Sequence, residues 1–234
     1  TVSTRTGKDE NKNPYTETTT TTTTTYPDKS QSILEVVVRE GVDKDGHPQT
    51  ITTTTVTNRD GSMSRTVETV TKTTDEKGNP MTVIRTDVTN PYPDGKTETT
   101  VKVIVESSGK DEDGNPTNST TTTETKPDGT TTETTETNGT DNDGNPTHTV
   151  TETEKKPDGS TTTTETTTTE KTDENGNPVT DKTEITTNPD GSTTEKETIT
   201  TEKTDENGNP VTETTEITKN PDGSTTVTDT ITTE

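Results

Sequence analysis

Two kinds of turn signal alternate strictly along this 234-residue chain. One reads Asp-x-x-Gly-Asn-Pro, with small variations, and begins at Asp9, Asp43, Asp75, Asp111, Asp141, Asp173 and Asp205. The other reads x-Pro-Asp-Gly and begins at Tyr26, Asn58, Tyr92, Lys126, Lys156, Asn188 and Asn220, with Arg59 in place of Pro and Lys29 in place of Gly at two of them. In the second kind, Pro presets φ for the first corner of a type I turn, Asp suits the second, and Gly takes the left-handed position that follows. This is the three-residue hairpin loop with a G1 bulge. In the first kind, the leading Asp can cap the loop with its carboxylate and Gly supplies the positive φ. Pro then falls at the first position of the next strand, where its missing N–H is tolerated. Both loops reverse the chain.

These turns bound about fifteen Thr-rich segments, with Pro and Gly confined to their ends. Several alternate with period two: Val101, Val103 and Val105 point one way, and Lys102, Ile104 and Glu106 the other. In 32–40, Leu34, Val36 and Val38 share one face. No 3.6-residue period occurs. Residues 169–200 and 201–232 align without gaps at 26 of 32 positions. Repeats of this length mean arrays or solenoids, and the turn chemistry selects antiparallel hairpins. The expected fold is all-β: an up-and-down antiparallel meander of about 14–15 strands, spanning 1–234 as one repetitive array. It closes as a large barrel or remains a curled open sheet, and an odd strand count would leave a barrel with one mismatched seam.

Composition limits what such a sheet can bury. Only 13% of residues are hydrophobic and the net charge is −23, the balance of a disordered chain. Thr, at 75 residues, pulls the other way, because it is a β-branched strand former. Twenty of the 31 apolar residues lie in 33–105, and none lies in 106–149. Any core is expected in 33–105, and 117–138 is expected to be the weakest stretch. A conventional enzyme core, a membrane-spanning helix, a disulfide framework and a cysteine metal site are excluded.

The residues that carry chemistry elsewhere have simpler readings here. Asp111-Glu112-Asp113-Gly114-Asn115 and Asp141-Asn142-Asp143-Gly144-Asn145 look like calcium loops but lack the Glu at position 12 and the flanking helices. His47 and His148 each stand isolated, without the convergent partners of a metal site or triad. Ser62, Ser160, Ser192 and Ser224 follow turn glycines, outside any Gly-x-Ser-x-Gly elbow. The sequons Asn118-Ser119-Thr120 and Asn138-Gly139-Thr140 arise readily in a Thr-rich chain. Thr-x-Thr arrays such as 161–169 resemble ice-binding faces of antifreeze solenoids, the most remote reading. No catalytic, cofactor-binding or metal residue is assigned, and no cofactor or small-molecule ligand is expected. The acidic balance argues against nucleic acid and anionic membranes. It favours a soluble protein, with sheet edges as the route to self-association.

The near-verbatim reuse of Asn-Pro-Asp-Gly and Asp-Glu-Asn-Gly-Asn-Pro, with no Ala, Phe, Trp or Cys, resembles sequences that computational design writes onto idealised β-hairpins. That resemblance spans the chain, carries no functional residues and implies a structural scaffold without enzymatic activity, with or without a water-filled lumen. Residues 173–194 are similar to the turns of bacterial YD-repeat (Rhs-type) shells, although the Tyr-Asp signature is missing. That second resemblance implies a secreted or surface protein, a shell or an adhesion stalk.

Overall fold

The computed structural model describes residues 1–91, 97–110, 114–141, 143–204 and 209–233. The turns at 92–96 and 205–208, and the start of the turn at Asp111, lie outside the described residues.

The described residues form fifteen strands and no helix. They are β1 (Val2–Lys8), β2 (Pro14–Thr25), β3 (Gln31–Val42), β4 (Pro48–Thr57), β5 (Met63–Thr74), β6 (Pro80–Pro91), β7 (Thr97–Lys110) and β8 (Pro116–Thr125). The rest are β9 (Thr131–Thr140), β10 (Pro146–Lys155), β11 (Thr161–Thr172), β12 (Pro178–Thr187), β13 (Thr193–Thr204), β14 (Pro210–Lys219) and β15 (Thr225–Thr233). The strand order in the sheet is the sequence order, β1 to β15. It is linear, with β1 and β15 at its two ends, so the sheet is open and not a barrel. The odd strand count therefore meets no seam. Seven prolines, Pro14, Pro48, Pro80, Pro116, Pro146, Pro178 and Pro210, each open a strand.

The two turn signals fold into one backbone loop. In Asp173–Asn177 the Asp173 N–H donates to Asn177 O (3.0 Å) and the Gly176 N–H to Asp173 O (3.0 Å). In Asn188–Ser192 the same two bonds join Asn188 to Ser192 and Gly191 to Asn188, both at 2.9 Å. The fourth loop residue has positive φ in both, +82° at Gly176 and +83° at Gly191. The kinds differ in where the capping carboxylate stands. Asp173, at the first loop position, accepts the N–H groups of Asn175 and Asn177 at 2.8 Å each. Asp158, at the third position of its loop, accepts the Ser160 N–H (2.9 Å) and hydroxyl (2.7 Å).

Fixed loops fix the register. From the closing pair Asp9 and Asn13, four steps outward reach Arg5 opposite Glu17; from Tyr26 and Ser30, nine steps reach Glu17 opposite Arg39. The same counting gives Val179 opposite Thr201 and Val211 opposite Thr233.

The described chain divides into two compact units, Thr1–Ser107 with Thr122–Thr130, and Ser108–Thr121 with Thr131–Glu234. In the first unit the apolar residues of β3 to β7 are split between both sheet faces. Ile33, Leu34 and Met63 remain exposed. In the second unit Val179, Ile185, Ile199, Val211, Ile217, Val227 and Ile231 all fall on one face, at odd positions of consecutive ladders.

The expected core in 33–105 is not where burial is deepest. Among the described residues the buried apolar side chains are Val179 and Val211, each 7% exposed, in β12 and β14. Lys171 stands directly across from Val179 and its Nζ reaches Asp181, the next residue on that face, at 3.0 Å. Lys203 does the same across from Val211, reaching Glu213 at 2.5 Å. Each buried valine thus has a lysine as its cross-strand neighbour, with the ammonium held by the next carboxylate on that face.

Candidate functional site

A buried charge cluster sits on the first unit. Glu17 is buried, at 7% exposure, between Arg5 on β1 and Arg39 on β3. Arg5 Nε donates to Glu17 Oε1 (2.7 Å) and Arg39 Nη2 to Oε2 (2.9 Å). Burial pushes the Glu17 carboxyl up, but the Arg39 and Arg5 hydrogen bonds, with the two positive charges, together outweigh it and hold the group below its ordinary value. Arg39 also lies over the Tyr15 ring, 4.0 Å from its centre.

Tyr15 pairs across the ladder with Gly7. A Cβ at Gly7 would stand 2.7 Å from Tyr15 Cζ, so the ring occupies the space that the glycine leaves. An aromatic covering an edge-strand glycine supplies the apolar contact that glycine cannot. Beside it, Thr6, Gly7, Lys8, Pro14, Tyr15, Thr16 and Glu40 line an open depression of about 580 Å³. Arg5, Glu17 and Arg39 escaped the sequence reading. Their signal was present in the loop positions, which place the three residues in one cross-strand row.

His47 is not isolated. Its Nδ1 lies 3.1 Å from Asp43 Oδ2, because His47 occupies the loop position that Asn177 holds in the Asp173 turn. Asp43, Asp45 and His47 bring ligand-type atoms within 4.8 Å of one another. Asp43 Oδ1 there already accepts the N–H groups of Asp45 (2.8 Å) and His47 (2.9 Å). Those bonds, that from the His47 N–H first, keep its carboxyl below the usual range. His148 is also partnered: Nδ1 lies 2.8 Å from Asn138 Oδ1, its neighbour on β9.

Of the two calcium-like loops, the one at Asp141 is a turn cap where it is described. Asp141 accepts the N–H groups of Asp143 (2.9 Å) and Asn145 (2.8 Å) through Oδ1, and the Asn145 amide through Oδ2 (2.8 Å). Asn142 and residues 111–113 lie outside the described residues. Ser62 and Ser160 donate their hydroxyls to Asp60 and Asp158, both at 2.7 Å. The Ser192 and Ser224 hydroxyls accept from Asn188 (3.1 Å) and Asn220 (3.0 Å). Asn118 and Asn138 of the two sequons are exposed within β8 and β9.

No protein-family model, curated protein or solved structure matches the chain.

Proposed function

We propose that the chain is a structural β scaffold without enzymatic activity, a repetitive wall that displays Thr and charged side chains on both sheet faces. The observation that carries this reading is the use made of polar groups. Asp28, Asp43, Asp60, Asp75, Asp128, Asp141, Asp158, Asp173, Asp190 and Asp222 each accept hydrogen bonds inside their own loops. A carboxylate held down by several N–H and O–H donors is a poor general base. Thr faces Thr across the ladders, as in Thr149 with Thr167 and Thr153 with Thr163, at 3.2 Å each. The reuse of one five-residue loop supports the resemblance to sequences written onto an idealised hairpin template.

Ligand-dependent thermal unfolding tests the reading, because anything that binds the folded state alone raises the melting temperature. With divalent cations, nucleotides and sugars at about a hundred times a micromolar Kd, the expected result is no shift for any of them. A reproducible rise of several degrees with one class would replace the scaffold by a binding protein.

A further inference from the structure

Asparagine followed by glycine is a reactive pair, because the glycine nitrogen can attack the asparagine side chain with no Cβ in its way. Nine asparagines of this chain precede proline, whose nitrogen has no proton to give up. Three precede glycine: Asn138, Asn175 and Asn207. Asn207 lies outside the described residues. The fold puts the other two in opposite settings.

Asn138 belongs to a ladder. Pro146 has no N–H, so Thr140 and Pro146 form a non-hydrogen-bonded pair, and alternation makes Gly139 and Thr147 a hydrogen-bonded one. The Gly139 nitrogen is thereby engaged between strands. Asn138 and His148 form the next non-bonded pair, where side chains stand closest, and His148 Nδ1 lies 2.8 Å from Asn138 Oδ1. A Cβ at Gly139 would meet Thr117 Cγ2 of β8 at 3.5 Å and Thr147 Oγ1 of β10 at 3.6 Å. Bringing the Asn138 side chain onto the Gly139 nitrogen therefore requires the strand pair to open.

Asn175 stands at the third position of the loop between β11 and β12. Asn175 and Gly176 are exposed, and nothing lies within 4 Å of the Gly176 Cβ position. The Gly176 N–H donates to Asp173 O at 3.0 Å, and the Asn175 side chain also bonds to Asp173. Both bonds lie within one exposed loop, so breaking them opens no strand pair.

We propose that Asn175 is a site of spontaneous modification, cyclising onto Gly176, and that the ladder protects Asn138 from the same reaction. The Gly176 nitrogen gives up its proton and bonds to Asn175 Cγ. The bond from Cγ to Nδ2 breaks, and Nδ2 leaves as ammonia with that proton. Water then opens the succinimide ring at either carbonyl. Opening at Cγ gives aspartate; opening at the backbone carbonyl gives isoaspartate, in which the main chain runs through the former side chain. Nothing is oxidised or reduced.

The loop treats the two products differently. Asp45 and Asp143 already hold the third position in the loops that begin at Asp43 and Asp141, so aspartate fits. Isoaspartate adds a methylene to the backbone between Asp173 and Gly176 and disrupts the turn bond that joins them. Asp158, which precedes Gly159, resists the same ring closure. Its carboxyl would have to be protonated to lose water, and the Ser160 hydroxyl and N–H keep it ionised. This inference rests on loop and ladder geometry and not on the scaffold reading.

The test incubates the full chain at pH 7, folded and in concentrated urea, and follows each asparagine by peptide mass spectrometry, with enzymatic methylation of isoaspartate as a second readout. Cleavage after Lys171 and Lys182 isolates Asn175 from Asn138 and Asn207. In the folded chain Asn175 should convert at least about tenfold faster than Asn138, the factor that an opening step of about 1.4 kcal/mol imposes. In urea the two should convert at similar rates, because the reacting pair is the same. Equal rates in the folded chain, an Asn175 that stays intact, or a difference that survives in urea would each overturn the proposal.

Discussion

Asp173 grips Asn177 twice, taking its backbone N–H on Oδ1 at 2.8 Å and its side-chain amide on Oδ2 at 2.7 Å. These bonds, the side-chain one foremost, hold the Asp173 carboxyl below its usual value. A carboxyl depressed in the folded state stabilises above the unfolded pKa of about 3.9, and that contribution is lost as pH falls through the folded value. Thermal stability should therefore stay level down to about pH 4 and fall below it, through the joint protonation of the turn aspartates. Asp173→Ala should lower the melting temperature and speed amide exchange at Asn175 and Asn177, whereas Glu174→Ala should do neither. A melting temperature that rises on acidification from pH 4 to pH 3 would contradict the capping account.

Two loops carry lysine where the others carry glycine. Lys12 and Lys29 sit at φ +68° and +65°. A left-handed conformation costs a residue with a Cβ about 1–2 kcal/mol, part of which glycine returns through its greater freedom when unfolded. Lys12→Gly and Lys29→Gly should each stabilise by about 0.5–1 kcal/mol. Gly176→Ala should destabilise by about 1 kcal/mol although nothing lies within 4 Å of its Cβ position. Gly139, in β9 without positive φ and with neighbours at 3.5 and 3.6 Å, should accept Ala with a gain. Denaturant midpoints of the four variants decide the matter.

Gly7→Ala should cost about 1–3 kcal/mol, because the new methyl collides with the Tyr15 ring at 2.7 Å and overpacking displaces it. Displacement would also undo the stacking of Arg39 on that ring. The Tyr15 fluorescence and the side-chain proton shifts of Arg39 would report both. An unchanged Arg39 environment in the variant would refute the coupling.

Glu17→Gln should destabilise by about 1 kcal/mol, since both arginines lose a charged partner that is itself buried. Glu216→Gln, whose partner Lys196 is as exposed as Glu216 itself, should be neutral within error in 0.15 M salt. Equal effects at the two positions would show that burial does not set the worth of ion pairs here.

Much of this was legible in the residues. Asn188-Pro189-Asp190-Gly191 and Asp173-Glu174-Asn175-Gly176-Asn177 specify their turn without reference to anything distant, so strands, pairing order and ladder type followed. Open against closed was not legible, because closure depends on strand tilt and shear, to which local turn chemistry is indifferent. The grip of Arg5 and Arg39 on Glu17 required counting outward through two loops together. The burial of Val179 was missed for another reason: its neighbour across the ladder is Lys171, a residue counted as polar. Reading His47 as isolated failed because the loop, not the sequence distance, brings Asp43 to its ring.

Backbone ladders and capped turns, rather than a buried apolar core, hold this sheet in order. Residue-resolved amide exchange at pH 7 distinguishes the two. Protected strands separated by fast-exchanging loops are expected. Within that pattern, amides of 101–105, which carry Val101, Val103, Ile104 and Val105, should exchange more slowly than those of 120–135, where no apolar side chain contributes. Exchange of every amide at the unfolded rate would contradict it outright.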